Sequence, residues 1–215
     1  MLFRSETGCG WGSFAVYLAT ELGCTVTTTT ISREQAEHVK TRVGDLGLGD
    51  RVQVLLEDFA DTTGCFDAIV SVEMIESIPG ARWPAYFRAL RDRLEPGGRV
   101  GLQSIVVGDQ HWRSSDGNPD FVRRYIFPGG QVPAPSVLRQ RAGEVGLRWR
   151  EDAWFGRSYA RTLATWHRNF DAAWPEIAAL GFDRRFQRMW QYYLSYTEGG
   201  FRCGHADVGQ IVLEG

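Results

Sequence analysis

The feature that most constrains the fold is the alternation of strand-like and helix-like segments along residues 24–107. Short runs rich in Thr, Val and Ile at 24–31, 52–56, 66–71 and 99–107 are typical of buried strands. Helical patterns begin between them, at Ser32 and at Arg82. Strands that alternate with helices pair in parallel through right-handed crossovers. The sequence therefore predicts an α/β fold with a doubly wound, mostly parallel sheet of about six or seven strands and helices on both faces.

Sequence motifs also predict where the first of these helices begins and where the second ends. Ser32-Arg33-Glu34-Gln35 matches a capping box, in which Ser32 caps the helix and the Gln35 side chain reaches back. The second helix, 82–94, is expected to end at Glu95-Pro96-Gly97-Gly98, which combines a helix stop with a turn.

The chain beyond Gly108 follows a different pattern. A helix at 136–145 and a strand at 147–154 precede two aromatic-rich helices. Residues 207–213 are expected to close the sheet as an antiparallel strand at its edge. We expect one domain over residues 1–215. The two helices present apolar side chains at helical spacing, which predicts that each packs one face on a core: Tyr159, Leu163, Trp166, Phe170, Trp174 and Ile177 in the first, Phe186, Met189, Trp190, Tyr193 and Leu194 in the second.

The composition excludes several classes of protein. With 43% apolar residues the chain can bury a core, and a net charge of −2 gives no basic surface for nucleic acid. It contains no run of about 18 apolar residues that would span a membrane, and it does not start like a signal peptide. The four Cys and four His lack paired metal-ligand spacing, so we expect no metal and a reducing, cytoplasmic location.

A glycine-rich turn is the first candidate for chemistry. Glu6 is followed by Gly8, Gly10 and Gly12, which let the backbone turn tightly into a helix and let a ligand approach its N-terminus. The spacing is G-x-G-x-G and differs from the G-x-G-x-x-G of dinucleotide enzymes. Taken alone, it is equally compatible with a structural turn. Residues 57–59 end the third strand, however, and strand ends of an open α/β sheet converge on one crevice.

Six segments are together typical of one family. They are Glu6-Thr7-Gly8-Cys9-Gly10-Trp11-Gly12, Thr30-Ile31-Ser32-Arg33-Glu34-Gln35, Ser71-Val72-Glu73-Met74-Ile75-Glu76, Arg124-Tyr125-Ile126-Phe127-Pro128-Gly129-Gly130, Tyr159-Ala160-Arg161-Thr162-Leu163 and Phe201-Arg202. In these segments the chain resembles the cyclopropane-fatty-acyl-phospholipid synthase and mycolic acid cyclopropane synthase family of S-adenosylmethionine-dependent class I methyltransferases. The resemblance implies a Rossmann-like sheet with the C-terminal helices over the active site.

The resemblance also implies a cofactor site for S-adenosylmethionine. Gly8, Gly10 and Gly12 correspond to the turn under its methionine part, and Glu6 to the acidic residue beside that turn. The remaining matches lie near the ribose and adenine: Thr30, Ile31, Gln35, Asp58 and Phe59. Without the resemblance, Thr30 and Ile31 are better explained by strand packing, and Asp58 by a solvated loop end.

The reaction that the resemblance implies is addition of the cofactor's methyl group to an alkene. The resulting carbocation loses a proton, and family members hold a bicarbonate ion beside it as the base. Glu76, the backbone of Ile105 and Tyr159 match three of the positions that hold this ion. Glu76 is also compatible with a helix-start carboxylate, and the helical stripe alone favours a core tyrosine at Tyr159. The Glu73–Glu76 pair is compatible with a general acid/base couple and with an ordinary solvated pattern.

Two departures from the family pattern affect the expected activity. Gln103 occupies the position of a bicarbonate-binding His, and an amide can donate a hydrogen bond but carries no titratable proton. The first strand also begins almost at residue 1, so we expect a missing N-terminal segment, which in the family covers the cofactor and contributes a bicarbonate-binding Cys.

The expected substrate is an unsaturated fatty acyl phospholipid, reached by peripheral contact with the inner membrane face. The product remains open between a cyclopropane and a methyl-branched chain. Two alternatives stay open as well: a methyltransferase for small molecules, and an inactive fragment or nicotinamide-dinucleotide-binding module.

Overall fold

All strands of the described residues pair into one sheet. In the computed structural model, which describes residues 3–112 and 120–215, their order is β3-β2-β1-β4-β5-β7-β6. Strands β1 to β5 pair in parallel, and the order reverses between β1 and β4. This confirms the predicted doubly wound, mostly parallel α/β sheet. The strands are β1 (Phe3–Thr7), β2 (Thr25–Thr30), β3 (Val52–Leu56), β4 (Phe66–Val72), β5 (Leu94–Val107), β6 (Arg148–Trp154) and β7 (Ala206–Glu214).

The last strand is antiparallel to its neighbours, as predicted, but its predicted position at the sheet edge is wrong. β7 lies between β5 and β6, and β6 forms the edge. The burial of the two strands explains this order. Val208, Ile211 and Leu213 of β7 are buried, whereas β6 carries several charged residues and buries none completely. Charged side chains are typical of edge strands, which they protect from further pairing.

Helices cover both faces of the sheet. The described helices are α1 (Ser13–Glu21), α2 (Arg33–Asp45), α3 (Trp83–Asp92), α4 (Asp109–Trp112), α5 (Phe121–Tyr125), α6 (Pro135–Glu144), α7 (Gly156–Ala172), α8 (Trp174–Ala179) and α9 (Arg184–Arg202). Val100 and Leu102 of β5 pack with α3 and α6, whereas Ile105 packs with α7 and α9. Because side chains alternate along a strand, these two helix pairs lie on opposite faces.

The aromatic-rich C-terminal region contains three helices where two were predicted. The first predicted helix is divided between α7, which ends at Ala172, and α8, which begins at Trp174 and has Pro175 in its first turn. Proline has no backbone N–H and is tolerated at a helix start, so it favours a new helix there. Ala160 and Leu163 of α7 pack against Leu194 and Phe201 of α9. This packing fixes α7 and α9 against the sheet.

The predicted N-cap of α2 is confirmed, with one difference in its side-chain contacts. The Ser32 hydroxyl accepts a hydrogen bond from the Gln35 amide at 3.2 Å. The Gln35 side chain does not reach back to Ser32; its Oε1 accepts from the Thr30 hydroxyl at 2.7 Å. Thr30 also accepts from the Ser32 amide at 3.1 Å. The end of β2 is thereby tied to the start of α2.

Candidate active site

A cavity of about 290 Å³ lies at the carboxyl ends of β1, β2, β3 and β4. In doubly wound sheets, ligands bind at this edge where the strand order reverses. The loop after each strand contributes residues to the wall, which is lined by Gly8, Gly10, Thr29, Thr30, Ile31, Gln35, Glu57, Asp58, Phe59, Val72, Glu73, Met74, Ser77, Ile78, Pro79 and Arg82. Seven of the nine residues predicted for the cofactor therefore share one cavity.

The glycine turn after β1 forms part of the cavity wall. Gly8, Gly10 and Gly12 all have positive φ angles, of 88°, 49° and 78°. A Cβ on Gly10 would meet open space, so its backbone is accessible to a ligand. Gly12 lies outside the cavity wall, and a Cβ there would come within 2.7 Å of Val39. Gly12 therefore lets α1 start close against α2.

Glu6 is the second predicted residue outside the cavity wall. It is buried beneath the turn, and its Oε2 accepts a hydrogen bond from the Thr28 hydroxyl at 2.7 Å. Burial raises the pKa of Glu6 to about 7, and the hydrogen bond from Thr28 only partly opposes this. Glu6 thus links β1 to β2 under the turn.

The segment after β2 gives the cavity one apolar and one polar edge. Ile31 lines the cavity and is 79% exposed, which leaves it free to contact a planar ligand group. Gln35 is held beside it by the hydrogen bond to Thr30.

Asp58 and Phe59 are held by a residue that the sequence analysis missed. The Arg82 guanidinium donates to both oxygens of Asp58, at 2.9 and 3.1 Å, and its Cζ lies 4.9 Å from the centre of the Phe59 ring. Partial burial alone would raise the pKa of Asp58, but hydrogen bonds from Arg82 and the Ala60 amide outweigh it and lower that pKa. Asp58 therefore stays ionised and able to accept from a ligand.

Glu57 supplies an unused hydrogen-bond acceptor in the same wall. Its Oε1 is buried and has no partner within residues 3–112 and 120–215. A buried polar oxygen without a partner costs free energy, and a hydroxyl or amino donor of a ligand would satisfy it.

A second group of side chains lies at the ends of β4 and β5, and Glu73 is at its centre. Glu73 Oε1 accepts from the Gln103 amide at 2.8 Å and from the Tyr159 hydroxyl. Gln103 in turn accepts from Gln210 at 2.9 Å. Glu73 also has a φ of 50°, the only positive value of a non-glycine residue in the described chain. Because Glu73 lines the cavity, this group borders the residues predicted for the cofactor.

Glu76 lies in the turn after β4 and contacts different partners. Its Oε1 accepts from the Ser104 hydroxyl, at 2.9 Å, and from the Ile105 amide. Its Oε2 is buried without a partner among the described residues. Burial raises the pKa of Glu76 to about 7, opposed by these hydrogen bonds and increased further by the nearby charge of Glu73.

The four residues predicted for catalysis thus lie in one region, but the three that donate hydrogen bonds are divided between Glu73 and Glu76. Tyr159 and Gln103 contact Glu73, whereas the Ile105 amide contacts Glu76. The sequence analysis weighed Glu73 only in a pair with Glu76 and did not place it in the site, because neither its φ angle nor its partners, 30 and 86 positions away, are visible in a local pattern.

Aromatic side chains surround this region from α7 and α9. The Tyr159 ring lies 5.1 Å from Phe201 and 6.4 Å from Trp166, centre to centre. Tyr193 packs in the same apolar cluster, and burial followed by the charge of Glu73 raises its pKa. Burial, and then Glu73, also raise the pKa of Tyr159, so that this phenol remains a hydrogen-bond donor. Within the described ranges, no group of His, Cys, Asp or Glu has the arrangement of a metal site.

The sheet order, the glycine turn and the cavity together define a class I S-adenosylmethionine-dependent methyltransferase fold. More narrowly, the chain belongs to the mycolic acid cyclopropane synthetase family, whose model matches residues 5–211. This confirms the family predicted from the six segments.

Individual relatives agree with this assignment. The chain is 38% identical over 209 residues to the tuberculostearic acid methyltransferase UfaA1 of Mycobacterium tuberculosis, covering 97% of this chain and 49% of that protein. It is 36% identical over 211 residues to the cyclopropane-fatty-acyl-phospholipid synthase of Escherichia coli K12, covering 97% and 52%. The chain therefore spans about half the length of these relatives.

The chain is also similar in structure to a solved member of this family. The mycolic acid cyclopropane synthase CmaA1, crystallised with S-adenosylhomocysteine and CTAB, superposes with a TM-score of 0.92 at 25% identity. The match covers 100% of this chain and 78% of that one.

Proposed function

We propose that this protein uses S-adenosylmethionine to transfer a methyl or methylene group to the double bond of an unsaturated acyl chain in a phospholipid. The observation that carries this proposal is Glu73, which lines the cavity and accepts a hydrogen bond from Tyr159 in the aromatic cluster of α7 and α9. A carbocation formed on an acyl chain needs negative charge close by in an apolar surrounding.

The residues of the cavity fit S-adenosylmethionine, which supplies a methyl group on a positively charged sulfur. Gly10, where a Cβ would meet nothing within 4 Å, leaves room for its methionine part to approach the backbone. The unpartnered Glu57 oxygen and the ionised Asp58 are acceptors for its hydroxyl and amino donors. Ile31 and Phe59 provide apolar contact for a planar base.

The predicted bicarbonate fits less well. Tyr159, Gln103 and the Ile105 amide are the donors that the resemblance assigns to it, and each already donates to a carboxylate of the chain. Bicarbonate stays a prediction, and no step of the proposal depends on it.

A phospholipid substrate requires contact with a bilayer, and we propose a cytoplasmic protein that binds peripherally to the inner membrane face. Exposed aromatic side chains near α5 and α9 support this contact: Tyr125, Phe127, Tyr192 and Tyr196. Aromatic residues favour the interface between lipid and water. In the described part of the chain, no helix has both the length and the apolar composition needed to cross a membrane.

Lipid mass spectrometry tests the proposal. Vesicles of monounsaturated phosphatidylethanolamine are incubated with the protein and S-adenosylmethionine, and vesicles of the saturated lipid serve as the control. We expect a gain of one CH₂ unit in the unsaturated lipid only. No gain in that lipid, or an equal gain in both, would contradict the proposal. Methylation of an added small molecule in place of the lipid would favour a small-molecule methyltransferase.

A further inference from the structure

We propose that the Glu73 carboxylate is the base that removes a proton from the transferred carbon, in the place that the resemblance assigns to a bicarbonate ion. This inference rests on the proposed function. It names a residue of the chain itself as the source of the negative charge.

The hydrogen bonds are the first argument. Two of the donors assigned to bicarbonate, the Tyr159 hydroxyl and the Gln103 amide, converge on one oxygen of Glu73. Two donors on one carboxylate oxygen fix its position. The Gln210 side chain donates to the Gln103 side-chain oxygen, which orients the Gln103 amide group in the absence of a ligand.

The backbone is the second argument. Glu73 has a φ of 50°, a conformation that is costly for any residue with a side chain. Its amide donates to the Gln103 carbonyl at 2.9 Å, which anchors the strained residue to β5. Strain of this kind persists where the surrounding structure holds it, and such places cluster at active sites. Here the strained residue lines the cavity.

Glu76 is the less suitable base of the pair. Glu76 does not line the cavity, and its Oε1 is bound by Ser104 and Ile105. Its raised pKa favours the protonated form, which cannot accept the proton. We assign Glu76 the role of a positioning residue behind Glu73.

The proton transfer balances without a further reactant. The C–H bond of the transferred carbon breaks, and its electron pair forms a new bond to the cationic carbon. Direct loss of this proton closes a ring. When a hydride first shifts from the methylated carbon to its cationic neighbour, the same loss makes a methylene double bond. The proton goes to a Glu73 oxygen and is later released to solvent.

Bicarbonate provides the test, with two readouts on the same variants. In the first, binding of ¹³C-labelled bicarbonate to the protein saturated with S-adenosylhomocysteine is followed by NMR. Wild type should show no saturable binding, and Glu73→Gly should bind the ion because Tyr159 and Gln103 are freed. Saturable binding by wild type at least as tight as that by Glu73→Gly would overturn the inference.

The second readout is product formation in bicarbonate-depleted buffer. Wild type should keep its rate, and Glu73→Gly and Glu73→Gln should lose at least about 100-fold, the usual contribution of a general base. Added bicarbonate should restore activity to Glu73→Gly. A wild type that loses its product on depletion, or a fully active Glu73→Gln, would overturn the inference.

Control measurements distinguish loss of the base from loss of folding and from failure of the proposed function. Glu144→Gln, a carboxylate on α6 that pairs with Arg141, should match wild type in both readouts. Thermal unfolding checks that the Glu73 variants are folded, and Glu73→Gln keeps the size of the side chain. Absence of any product from wild type at saturating bicarbonate would reject the proposed function instead, while the NMR readout needs no turnover.

Discussion

The backbone of Gly130 packs directly against the carbonyl oxygen of Glu76. A Cβ placed on Gly130 would lie 2.5 Å from that oxygen, closer than any side chain can approach. The next residue, Gln131, donates its amide to the same oxygen at 2.8 Å. The loop that contains Pro128-Gly129-Gly130 therefore fixes the turn that carries Glu76, which gives a physical reason for glycine at this position.

Replacing Gly130 by alanine should force this turn away from the loop. We expect a loss of about 1–3 kcal/mol in the free energy of unfolding, as for other overpacked sites, measured by urea denaturation. Gly143→Ala is the control, because a Cβ there meets nothing within 4 Å in α6. It should be stabilising by about 0.5–1 kcal/mol. Equal stability of the two variants would show that the close contact carries no cost.

The strain at Glu73 can be measured by comparing two substitutions. Glu73→Gly and Glu73→Ala both remove the carboxylate, but only alanine keeps a Cβ at a φ of 50°. The glycine variant should therefore be more stable by about 1 kcal/mol in urea denaturation. Should alanine be equally stable, the backbone at Glu73 has relaxed and is not strained.

The two buried carboxyl groups predict how stability depends on pH. Glu6 and Glu76 have pKa values raised from 4.5 to about 7, so the folded state keeps their protons in a range where the unfolded chain has lost them. Stability should fall as the pH rises from 4.5 to 7 and then level off. The Glu6→Gln variant should lack the part of this loss that Glu6 causes, which is on the order of 3 kcal/mol in the free energy of unfolding.

Urea denaturation at several pH values measures this effect. Glu144→Gln serves as the control, since its carboxyl group is exposed and its pKa is lowered, so the slope between pH 4.5 and 7 should not change. A Glu6→Gln variant with the slope of wild type would mean that Glu6 is ionised in the folded protein.

The parts of the fold that depend on residues close together in the sequence could be predicted. The alternation of elements gave the parallel sheet, and the Ser32 cap gave the start of α2. The position of β7 could not be predicted in this way. Strand order depends on which surfaces are buried together, and the apolar pattern of β7 suits an edge or an inner position until the charged β6 is placed beside it.

In the candidate site, too, the residues in local motifs could be predicted and those with distant partners could not. Gly8, Gly10, Thr30, Ile31 and Gln35 lie in or near recognisable motifs, and all of them line the cavity. Glu73 and Arg82 gain their importance from partners distant in sequence, Tyr159 and Asp58. Their roles appear only when the chain is folded.

Binding of S-adenosylhomocysteine tests the central claim, that the cavity at the ends of β1 to β4 is the cofactor site. Isothermal titration calorimetry should show binding to wild type and none to Gly10→Val, because a branched side chain would enter the space where the ligand meets the backbone. Gly47→Val is the matched control: Gly47 also has a positive φ, 65°, and an open surrounding, but lies outside the cavity wall after α2. It should bind as wild type does, and nicotinamide dinucleotide should not bind to any of the three proteins. Unchanged affinity of Gly10→Val, or a wild type that binds the dinucleotide and not S-adenosylhomocysteine, would contradict the account.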